Sequence, residues 1–210
     1  MKSEPIVYVV DDEEDVRESL RMLIRSVGLR VQACASAREF LDSYVHGQPG
    51  CLVLDVRMPG MSGLELQEQL AVHHVTLPVI VISGHGDVPM VVRAMKNGAI
   101  DFIEKPFNDQ LLLDRVQHLI ERDIQAHRER LQQGAIEARI ARLTPREHEV
   151  MLRVIAGKLN KVIASELGVS TRTVEIHRAR VMEKLSARSV GELVRMAISC
   201  GVTPSAPRGP

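Results

Sequence analysis

The sequence predicts an α/β domain with a doubly wound, parallel five-stranded sheet, followed by a helical linker and an all-α domain of four helices. Two observations lead to this prediction. Short continuous apolar runs alternate with helix-length segments from Ile6 to about Ile120, which is typical of buried parallel strands joined by helices. Beyond Ile120 only helical patterns follow, with recognisable start and stop residues at their ends.

Five strands are expected in the first domain, because Gly, Pro and Asp bound the apolar runs. Between them apolar residues recur at helical spacing, and Gly28 and Gly98 stand where two of these helices should stop. The strands are predicted at Ile6–Val10, Leu29–Cys34, Cys51–Leu54, Val79–Ile82 and Ala99–Ile103. The helices are predicted at Val16–Val27, after Ser36, at Leu64–Leu70, at Val88–Asn97, and after a cap at Asn108 or Asp109.

The segment from Arg122 to Arg142 is rich in Arg, Glu, Gln and Ala, and its apolar residues are loosely spaced. We expect a solvated helix that continues the fifth helix and is interrupted at Gly134. A coiled coil is the alternative, although the heptads are few and imperfect.

Four helices are expected after this connector. Thr144-Pro145-Arg146-Glu147 combines an N-cap, a Pro at the first helical position and a Glu at the third, which is a capping-box start. The next helices are predicted at Asn160–Leu167 with Asn160 as the cap, at Thr171–Leu185 after Ser170, and from Ser189 to Ser199. The predicted boundaries are 5–120 for the first domain, 121–136 for the linker, 137–202 for the second domain and 203–210 for a disordered tail.

Composition narrows the class of protein. Hydrophobic residues make up 45% of the 210, and no apolar run approaches the length of a membrane span. The first five residues lack a signal-peptide pattern, so we expect a cytoplasmic protein with no membrane partner. Cys34, Cys51 and Cys200 are odd in number and far apart, so reduced, inert thiols are expected.

The formal net charge of +0 hides an asymmetry between the two halves of the chain. Residues 1–120 hold 11 Lys/Arg and 17 Asp/Glu, whereas residues 121–210 hold 16 Lys/Arg and 10 Asp/Glu. The basic half is therefore a candidate for binding nucleic acid.

Four of the predicted strands end on residues that could handle phosphate or its metal ion. The carboxyl ends of parallel strands meet in one crevice, which is where ligands bind in open α/β sheets. A carboxylate can accept a phosphoryl group, and Mg²⁺ prefers a few carboxylate and carbonyl oxygens. We expect Asp12, Asp55 and the carbonyl of Arg57 to be metal ligands, Asp11 to act through water, and Ser83 and Lys105 to contact phosphoryl oxygens.

Each of these residues also has an ordinary structural explanation. Asp11–Asp15 alone is more often a solvated acidic turn, Ser83 before Gly84 is usually a loop residue, and Lys105-Pro106 alone indicates nothing. Only the joint placement at four strand ends is specific.

Residues 5–120 resemble a two-component response-regulator receiver domain, which has a flavodoxin-like fold. The match rests on Asp11-Asp12, on Leu54 to Gly63 around Asp55, on Ser83 and on Lys105-Pro106. The resemblance implies phosphorylation of Asp55 by a sensor histidine kinase with Mg²⁺ (or Mn²⁺), and no enzyme activity beyond self-phosphorylation and autodephosphorylation. It also implies a switch in which phosphate draws Ser83 and Phe102 turns inward, although Phe102 is equally well a core aromatic.

A helix-turn-helix is predicted where Asn160–Leu167, a turn at Gly168 and Thr171–Leu185 follow one another. A polar helix face is usually just exposed to solvent. The tight turn between the helices and the excess of Lys and Arg in residues 121–210 favour DNA binding here. Glu175 is unusual in this position, since it can read a cytosine or orient Arg178 but cannot contact a bare phosphate. The predicted DNA contacts are Asn160, Lys161, Thr171, Arg172, Thr173, Glu175, His177, Arg178 and Lys184.

Residues 143–202 are similar to the LuxR-type DNA-binding domain, so the whole chain resembles the NarL/FixJ subfamily of response regulators, nearest the FixJ branch. Asn160-Lys161, Ile163-Ala164 and Thr173 to Arg178 carry this match, together with the start at Thr144. The resemblance implies a transcriptional regulator that binds promoter DNA and dimerises when phosphorylated, with RNA polymerase as a further candidate partner.

Two alternatives belong to other functional classes. An aspartate-nucleophile phosphatase would need a cap insertion, for which the connections are too short, and a constitutive DNA-binding protein would have lost the acidic residues. Arg57 and His85 are expected to flank the attacking water and to set the lifetime of the phosphorylated state.

Overall fold

The computed structural model of the chain describes residues 4–84 and 86–202, so the predictions for His85 and for the tail at 203–210 lie outside the described residues. The chain divides into two compact units, with the boundary between His127 and Arg128. No helix within the described ranges is long and apolar enough to cross a membrane.

A parallel five-stranded sheet forms the centre of the first unit. Its strands are β1 (Ile6–Val10), β2 (Arg30–Cys34), β3 (Gly50–Asp55), β4 (Val79–Ser83) and β5 (Asp101–Glu104). They lie in the order β2-β1-β3-β4-β5, and each neighbouring pair is parallel. In register, Val10 at the end of β1 stands beside Cys34 on one side and Leu54 on the other. This is the doubly wound topology that the sequence predicts, with its reversal point between β1 and β3.

Helices cover both faces of the sheet. They are α1 (Glu14–Ser26), α2 (Ala37–Ser43), α3 (Gly63–Gln69), α4 (Val88–Lys96) and α5 (Asp109–Ile140). On one face Val7, Val9 and Val53 of the strands pack against residues of α1 and α5, among them Ile24 and Val116. The other face packs against α2, α3 and α4, in a core that includes Tyr8, Leu52, Phe40, Leu66 and Ala94. Strand side chains alternate between two apolar layers, which explains their continuous apolar runs.

Two of the predicted details in this region are wrong. Helix α5 passes through Gly134 without a break, because the surrounding helix-forming residues offset the cost of about 1 kcal/mol that a helical Gly carries. Strand β5 begins at Asp101 rather than Ala99, since the amide of Ala99 still donates to the carbonyl of Ala94 at the end of α4, over 3.0 Å.

The start of β3 is tied to α5 by a buried carboxylate. Asp123 is 7% exposed, and its Oδ2 accepts a hydrogen bond of 2.9 Å from the amide of Gly50. A β-carbon at position 50 would lie 1.9 Å from the carbonyl oxygen of Ile6, so only glycine fits between β1 and this bond.

The second unit holds the end of α5 and four further helices, α6 (Pro145–Ile155), α7 (Asn160–Leu167), α8 (Thr171–Leu185) and α9 (Val190–Ser199). Their core includes Met151, Ile163, Val174, Val181, Leu185 and Leu193. Thr144, Ser170 and Ser189 cap α6, α8 and α9 as predicted. The predicted cap at Asn160 is wrong, because Leu159 occupies the N-cap of α7 and Asn160 is its first helical residue.

The three cysteines are free thiols, as expected. Cys34 and Cys51 are buried, and burial raises the pKa of the Cys51 thiol well above its usual value. A buried thiol that resists ionisation is unreactive, which agrees with the inert thiols that the sequence predicts.

Candidate functional sites

The carboxyl ends of β1, β3, β4 and β5 meet at one edge of the sheet, and this edge forms the first candidate site. Asp11 directly follows β1, Asp55 is the last residue of β3, Ser83 is the last residue of β4, and Lys105 directly follows β5. The amide of Lys105 donates to the carbonyl of Ser83 over 2.8 Å, which fixes the exit of β5 beside the end of β4. The strand order therefore brings together the residues that the sequence predicts for one cleft.

The ammonium group of Lys105 bridges two buried carboxylates. Its Nζ lies 2.7 Å from Oδ2 of Asp11 and 2.8 Å from Oδ1 of Asp55. The side chains of Asp11 and Asp55 are 0% and 7% exposed, and that of Lys105 is 17% exposed. One ammonium thus serves two carboxylates, so these three residues form one electrostatic unit with a formal charge of −1.

Backbone groups complete the hydrogen bonding of both carboxylates. The amide of Arg57 donates to Oδ2 of Asp55 over 2.6 Å, and the amide of Glu13 donates to Oδ1 of Asp11 over 2.9 Å. The guanidinium of Arg17 also holds the carbonyl of Asp11, at 2.7 Å. Both carboxylates are consequently fixed in orientation by the loops that follow β1 and β3.

The pKa values of Asp55 and Lys105 are both raised, the first by burial and the second by hydrogen bonding. Burial raises the pKa of Asp55 above its usual value, although the hydrogen bond from Lys105 acts in the opposite direction. Burial alone would lower the pKa of Lys105, but its hydrogen bonds to Asp11 and Asp55 raise it above the usual value. At neutral pH Lys105 is therefore charged and supplies a fixed positive group beside Asp55.

The residues predicted to act as a switch lie close to this cleft. Ser83 is fully buried, and its Oγ lies 3.8 Å from Sδ of Met90 on α4. The ring of Phe102 on β5 is half-buried and packs against the core that contains α4. A β-carbon on Gly86 would lie 2.9 Å from Cε1 of Phe102, so the loop after β4 passes against this ring. Ser83 and Phe102 thus share contacts with one helix and its preceding loop.

The predicted metal ligands match the chemistry of Mg²⁺ but do not form a complete group. Carboxylate and carbonyl oxygens are its preferred ligands, and two carboxylates with one ammonium leave a negative charge for a cation to balance. Asp12 is exposed and makes no hydrogen bond or ion pair with any other residue in the ranges that the structure describes. Within those ranges, no three His, Cys, Asp or Glu side chains are arranged to hold a metal ion.

Sequence reasoning gave no role to Gly63, which directly supports the position of Asp55. A β-carbon at position 63 would lie 2.0 Å from the carbonyl oxygen of Asp55, and the Gly63 amide donates to the carbonyl of Val56 over 2.9 Å. Ser62 caps α3 through a capping box with Glu65, which starts the helix at this close approach. In the sequence, Gly63 stands out only as the last residue of the stretch around Asp55 that resembles receiver domains.

A helix-turn-helix forms the second candidate site. Gly168 ends α7 in the left-handed conformation at φ 65°, and Ser170 caps α8 by accepting from the amide of Thr173 over 3.0 Å. Ala164 and Val174 are buried at the contact between the two helices, as this motif requires. One face of α8 thereby stays outside the core, with Arg172, Glu175, Ile176, Ala179, Arg180 and Glu183 exposed.

The predicted DNA contacts occupy different environments. Asn160, Thr173, His177 and Arg178 are half-buried, whereas Lys161, Thr171, Arg172, Glu175 and Lys184 are exposed. Oδ1 of Asn160 accepts a 2.6 Å hydrogen bond from Nη1 of Arg178, which joins α7 to α8. Glu175 lies 3.7 Å from Arg172 in an exposed ion pair, so the structure shows it beside Arg172 rather than beside Arg178.

Lys184 has a structural partner inside its own unit. Its Nζ lies 2.6 Å from Oε2 of Glu147, which is 2% exposed at the start of α6. This hydrogen bond and those from Thr144 lower the pKa of Glu147 to about 2. The ion pair accounts for Lys184 without DNA, and its predicted DNA contact stays a prediction.

Two protein families match the chain, one for each unit. The response regulator receiver domain matches residues 7–117, and the luxR family of bacterial regulatory proteins matches residues 141–197. The first match covers more than half of the chain and includes all the strand ends of the cleft. The second includes the whole of α7 and α8.

Relatives match along almost the whole length. The transcriptional regulatory protein FixJ of Azorhizobium caulinodans is 48% identical over 95% of this chain and 94% of its own length. Nodulation protein W of Bradyrhizobium diazoefficiens is 48% identical over 94% of this chain and 87% of its own. Response regulator StyR superposes with a TM-score of 0.86 at 46% identity, covering 93% of this chain and 98% of that structure. Full-length FixJ from B. japonicum has a TM-score of 0.57 at 43% identity, covering 95% and 98%.

The cleft at the strand ends, the helix-turn-helix and these matches agree with one another. A sheet edge that pairs two carboxylates with a lysine lies in the unit that matches receiver domains. The basic half lies in the unit that matches luxR-type regulators. The chain belongs to the response regulators, and it is a two-component transcriptional regulator of the NarL/FixJ subfamily near the FixJ branch.

Proposed function

We propose that Asp55 accepts a phosphoryl group from the phosphohistidine of a sensor histidine kinase and that this event promotes dimerisation and binding to promoter DNA. The observation that supports this most is the Lys105 bridge, since Nζ lies 2.8 Å from Asp55 and 2.7 Å from Asp11 inside a buried cleft. Among the carboxylates of the cleft, Asp55 alone is the last residue of the central strand β3 and is also held by the Lys105 ammonium and the Arg57 amide.

The transfer follows from the charges around Asp55. A carboxylate oxygen of Asp55 forms a bond to phosphorus while the P–N bond of the phosphohistidine breaks, and the electron pair stays on the imidazole nitrogen. The product is an acyl phosphate. Lys105 moves one hydrogen bond from the carboxylate to a phosphoryl oxygen, and the Arg57 amide keeps the acyl group in place.

A divalent cation, Mg²⁺ or Mn²⁺, completes the cleft in this proposal. Receiver domains generally use Mg²⁺, which when bound neutralises charge on the phosphoryl oxygens. Asp12, Asp55 and the carbonyl of Arg57 would hold it directly, with Asp11 acting through water. The Asp12 side chain makes no hydrogen bond or ion pair within the described residues and is therefore available for this role.

The response to phosphorylation is assigned to Ser83, Phe102 and Lys105. The phosphoryl group draws the hydroxyl of Ser83 away from Met90, and the ring of Phe102 moves inward beside α4. Arg57 is assigned to the path of the attacking water, where it sets the rate at which Asp55 loses its phosphate, and the same role predicted for His85 concerns a residue outside the described ranges. This autodephosphorylation and self-phosphorylation are the only catalytic activities in the proposal.

DNA contacts are assigned to α7 and to the first half of α8. Lys161 and Arg172 are exposed cations that can neutralise phosphates, whereas Thr171, Thr173, His177 and Arg178 can reach base edges. Asn160 holds the guanidinium of Arg178 by a hydrogen bond, and Glu175 forms an exposed ion pair of 3.7 Å with Arg172. Preorganised Arg side chains lose less freedom on binding, which favours sequence-specific contacts.

The remaining assignments concern the domain boundaries of the protein, its location and its partners. We propose residues 5–120 as the phosphoacceptor domain, 121–136 as the linker and 137–202 as the DNA-binding domain. The phosphorylated protein is a homodimer in the cytoplasm, and RNA polymerase is a further partner at the promoter. Dimerisation multiplies DNA affinity, because the second helix-turn-helix then binds at a high effective concentration.

Labelling with acetyl phosphate tests the phosphoacceptor. The wild-type protein with Mg²⁺ should gain acid-labile phosphate, and Asp55→Asn should gain none. Asp42→Asn is the matched control, since Asp42 is an exposed partner of Arg38 on α2. Full labelling of Asp55→Asn would overturn the assignment, and hydrolysis of a small phosphomonoester would instead support the phosphatase alternative.

A further inference from the structure

A basic cavity of about 630 Å³ lies in the second unit, beyond the predicted DNA contacts of α7 and the first half of α8, and Lys184 is the one predicted DNA contact that lines it. It is formed where the ends of α5 and α8 approach each other, and it is lined by Arg139, Arg142, Arg180, Glu183, Lys184 and Ser186. Four cations against one carboxylate give the lining a formal excess of three positive charges. An anion is therefore the chemical class of ligand that the cavity suits.

Two of the arginines have no partner for their side-chain donors among the residues that the structure describes. Arg142 and Arg180 are exposed, and neither side chain makes a hydrogen bond or ion pair with another residue in the described ranges. The other two cations are partly used, since Arg139 donates to the carbonyl of Leu185 over 3.2 Å and Lys184 pairs with Glu147. Two arginines that line one cavity and have unpaired guanidinium groups can bind phosphate oxygens in pairs.

Ser186, whose backbone is in an uncommon conformation, also lines this cavity. Ser186 ends α8 in the left-handed conformation at φ 54°, whereas Gly168 ends α7 in that conformation at φ 65°. Left-handed backbone is uncommon for residues other than glycine, so glycine would suit position 186 better on conformational grounds. The hydroxyl that serine adds at this cost is a further donor for an anionic oxygen.

The position of the cavity relative to the start of α8, which is predicted to contact base edges, suits a contact with the DNA backbone. Arg180 follows Thr173 by seven positions, which is two helical turns and returns to nearly the same face about 10 Å along the axis. The major groove of DNA is about 12 Å wide, so a residue two turns from the base edges reaches the phosphates that border the groove.

We propose that this cavity holds a backbone phosphate of the bound DNA, with Arg142 and Arg180 as its principal ligands and the hydroxyl of Ser186 as a third. The inference rests on the proposed function of α8 in DNA binding and extends it to the end of the linker helix. The contact is independent of base sequence, so it sets the affinity and position of the unit on DNA rather than its specificity.

The test uses the full-length protein, activated with beryllofluoride, and measures DNA affinity against salt concentration. Arg142→Gln and Arg180→Gln should each weaken binding roughly fivefold to tenfold on target and unrelated DNA alike, and each should lower the slope of log K against log salt by about 0.9. Ser186→Gly should retain the fold and weaken binding by a smaller factor. Arg128→Gln is the matched control, because Arg128 is exposed on the same face of α5, three turns before Arg139.

The outcomes separate this inference from the proposed function. Variants with wild-type affinity and an unchanged salt slope would overturn the cavity site, while DNA binding by the wild type would still support the proposed function. Wild-type protein that fails to bind DNA at all would overturn both. Titration of inorganic phosphate without DNA is the second arm: binding that Arg142→Gln abolishes, with DNA affinity unchanged, would identify a site for a small phosphorylated molecule and overturn the proposal.

Discussion

The α-carbon of Gly63 lies so close to Asp55 that an added β-carbon would stand 2.0 Å from the Asp55 carbonyl oxygen. The first residue of α3 thus packs directly against the backbone of the last residue of β3, so a shift of one backbone requires a shift of the other. This contact links the helix start to the position of the proposed phosphoacceptor.

Gly63→Ala should therefore perturb both stability and phosphorylation. The methyl group forces the backbone of residue 55 to shift, which we expect to cost about 2–3 kcal/mol in the free energy of unfolding and to slow labelling by acetyl phosphate at least about tenfold. Urea denaturation and the labelling rate measure the two effects. Gly134→Ala is the control, because its β-carbon meets open space within a helix, and it should stabilise by about 1 kcal/mol. Normal labelling of Gly63→Ala would show that the contact is not needed for the chemistry.

Asp55→Asn should stabilise the protein in a pH-dependent way. Burial raises the pKa of Asp55, so the folded state binds a proton more tightly than the unfolded state, and the ionised carboxylate opposes folding above that pKa. At about pH 8 the variant should therefore have a higher Tm than wild type, and the advantage should shrink as pH falls through the pKa of Asp55. Thermal melts across pH give the measurement, with Asp42→Asn as the exposed control. An advantage that grows on acidification would contradict the sign.

The ion pair between Glu147 and Lys184 should stabilise the second unit above acidic pH. Hydrogen bonds from Lys184 and Thr144 lower the pKa of Glu147 to about 2, so this contribution is complete above its usual pKa and is lost as pH falls towards 2. Glu147→Gln and Lys184→Met should each lower the free energy of unfolding by about 2 kcal/mol at neutral pH. Glu149→Gln, on the exposed Arg146–Glu149 pair, should change it by less than about 0.5 kcal/mol. Additive effects in the double variant would argue against a direct interaction.

Asn160→Ala should weaken specific DNA binding more than non-specific binding. The variant frees the guanidinium of Arg178, which Asn160 holds at 2.6 Å, and an Arg that is no longer positioned loses freedom on contact with a base. We expect affinity for the target site to fall about tenfold and affinity for unrelated DNA to change little. Fluorescence anisotropy titrations with the target DNA and with unrelated DNA measure the two affinities. An equal loss on both would indicate that Asn160 itself contacts phosphate.

The first unit exposes five apolar side chains, Val88, Val92 and Met95 on α4, Ile100 just before β5 and Leu111 on α5, and we expect them to form one surface. Phosphorylation should make this surface the dimer contact, so beryllofluoride should convert a monomer to a dimer in analytical ultracentrifugation. Val92→Asp should prevent the conversion. Val72→Asp is the matched control, since Val72 is 68% exposed outside this surface. A protein that remains monomeric with beryllofluoride, at unchanged DNA affinity, would exclude the mechanism.

The sequence allows the site to be predicted where functional side chains lie at the ends of strands. Asp11, Asp55, Ser83 and Lys105 were predicted to meet because parallel strands end at one edge, and the structure brings them together. Helix starts at Thr144 and Ser170 were predicted because capping depends on three or four adjacent residues.

Contacts between distant segments could not be predicted in this way. The pairing of Lys184 with Glu147 joins residues 37 positions apart, and the same lysine taken alone was assigned to DNA. The close approach of Gly63 to Asp55 depends on the path of a whole turn, and the unbroken helix through Gly134 depends on the balance over its full length.

The bond between Asp123 and Gly50 has a practical consequence for following activation. The bond anchors the first residue of β3, whereas Asp55 is the last residue of that strand. Phosphorylation of Asp55 therefore does not directly alter the hydrogen bond at the amide of Gly50. Hydrogen exchange at this amide should report only global opening of the domain. It therefore offers an internal reference against which exchange at the loops around Ser83 and Phe102 can be calibrated, in the same sample, before and after phosphorylation.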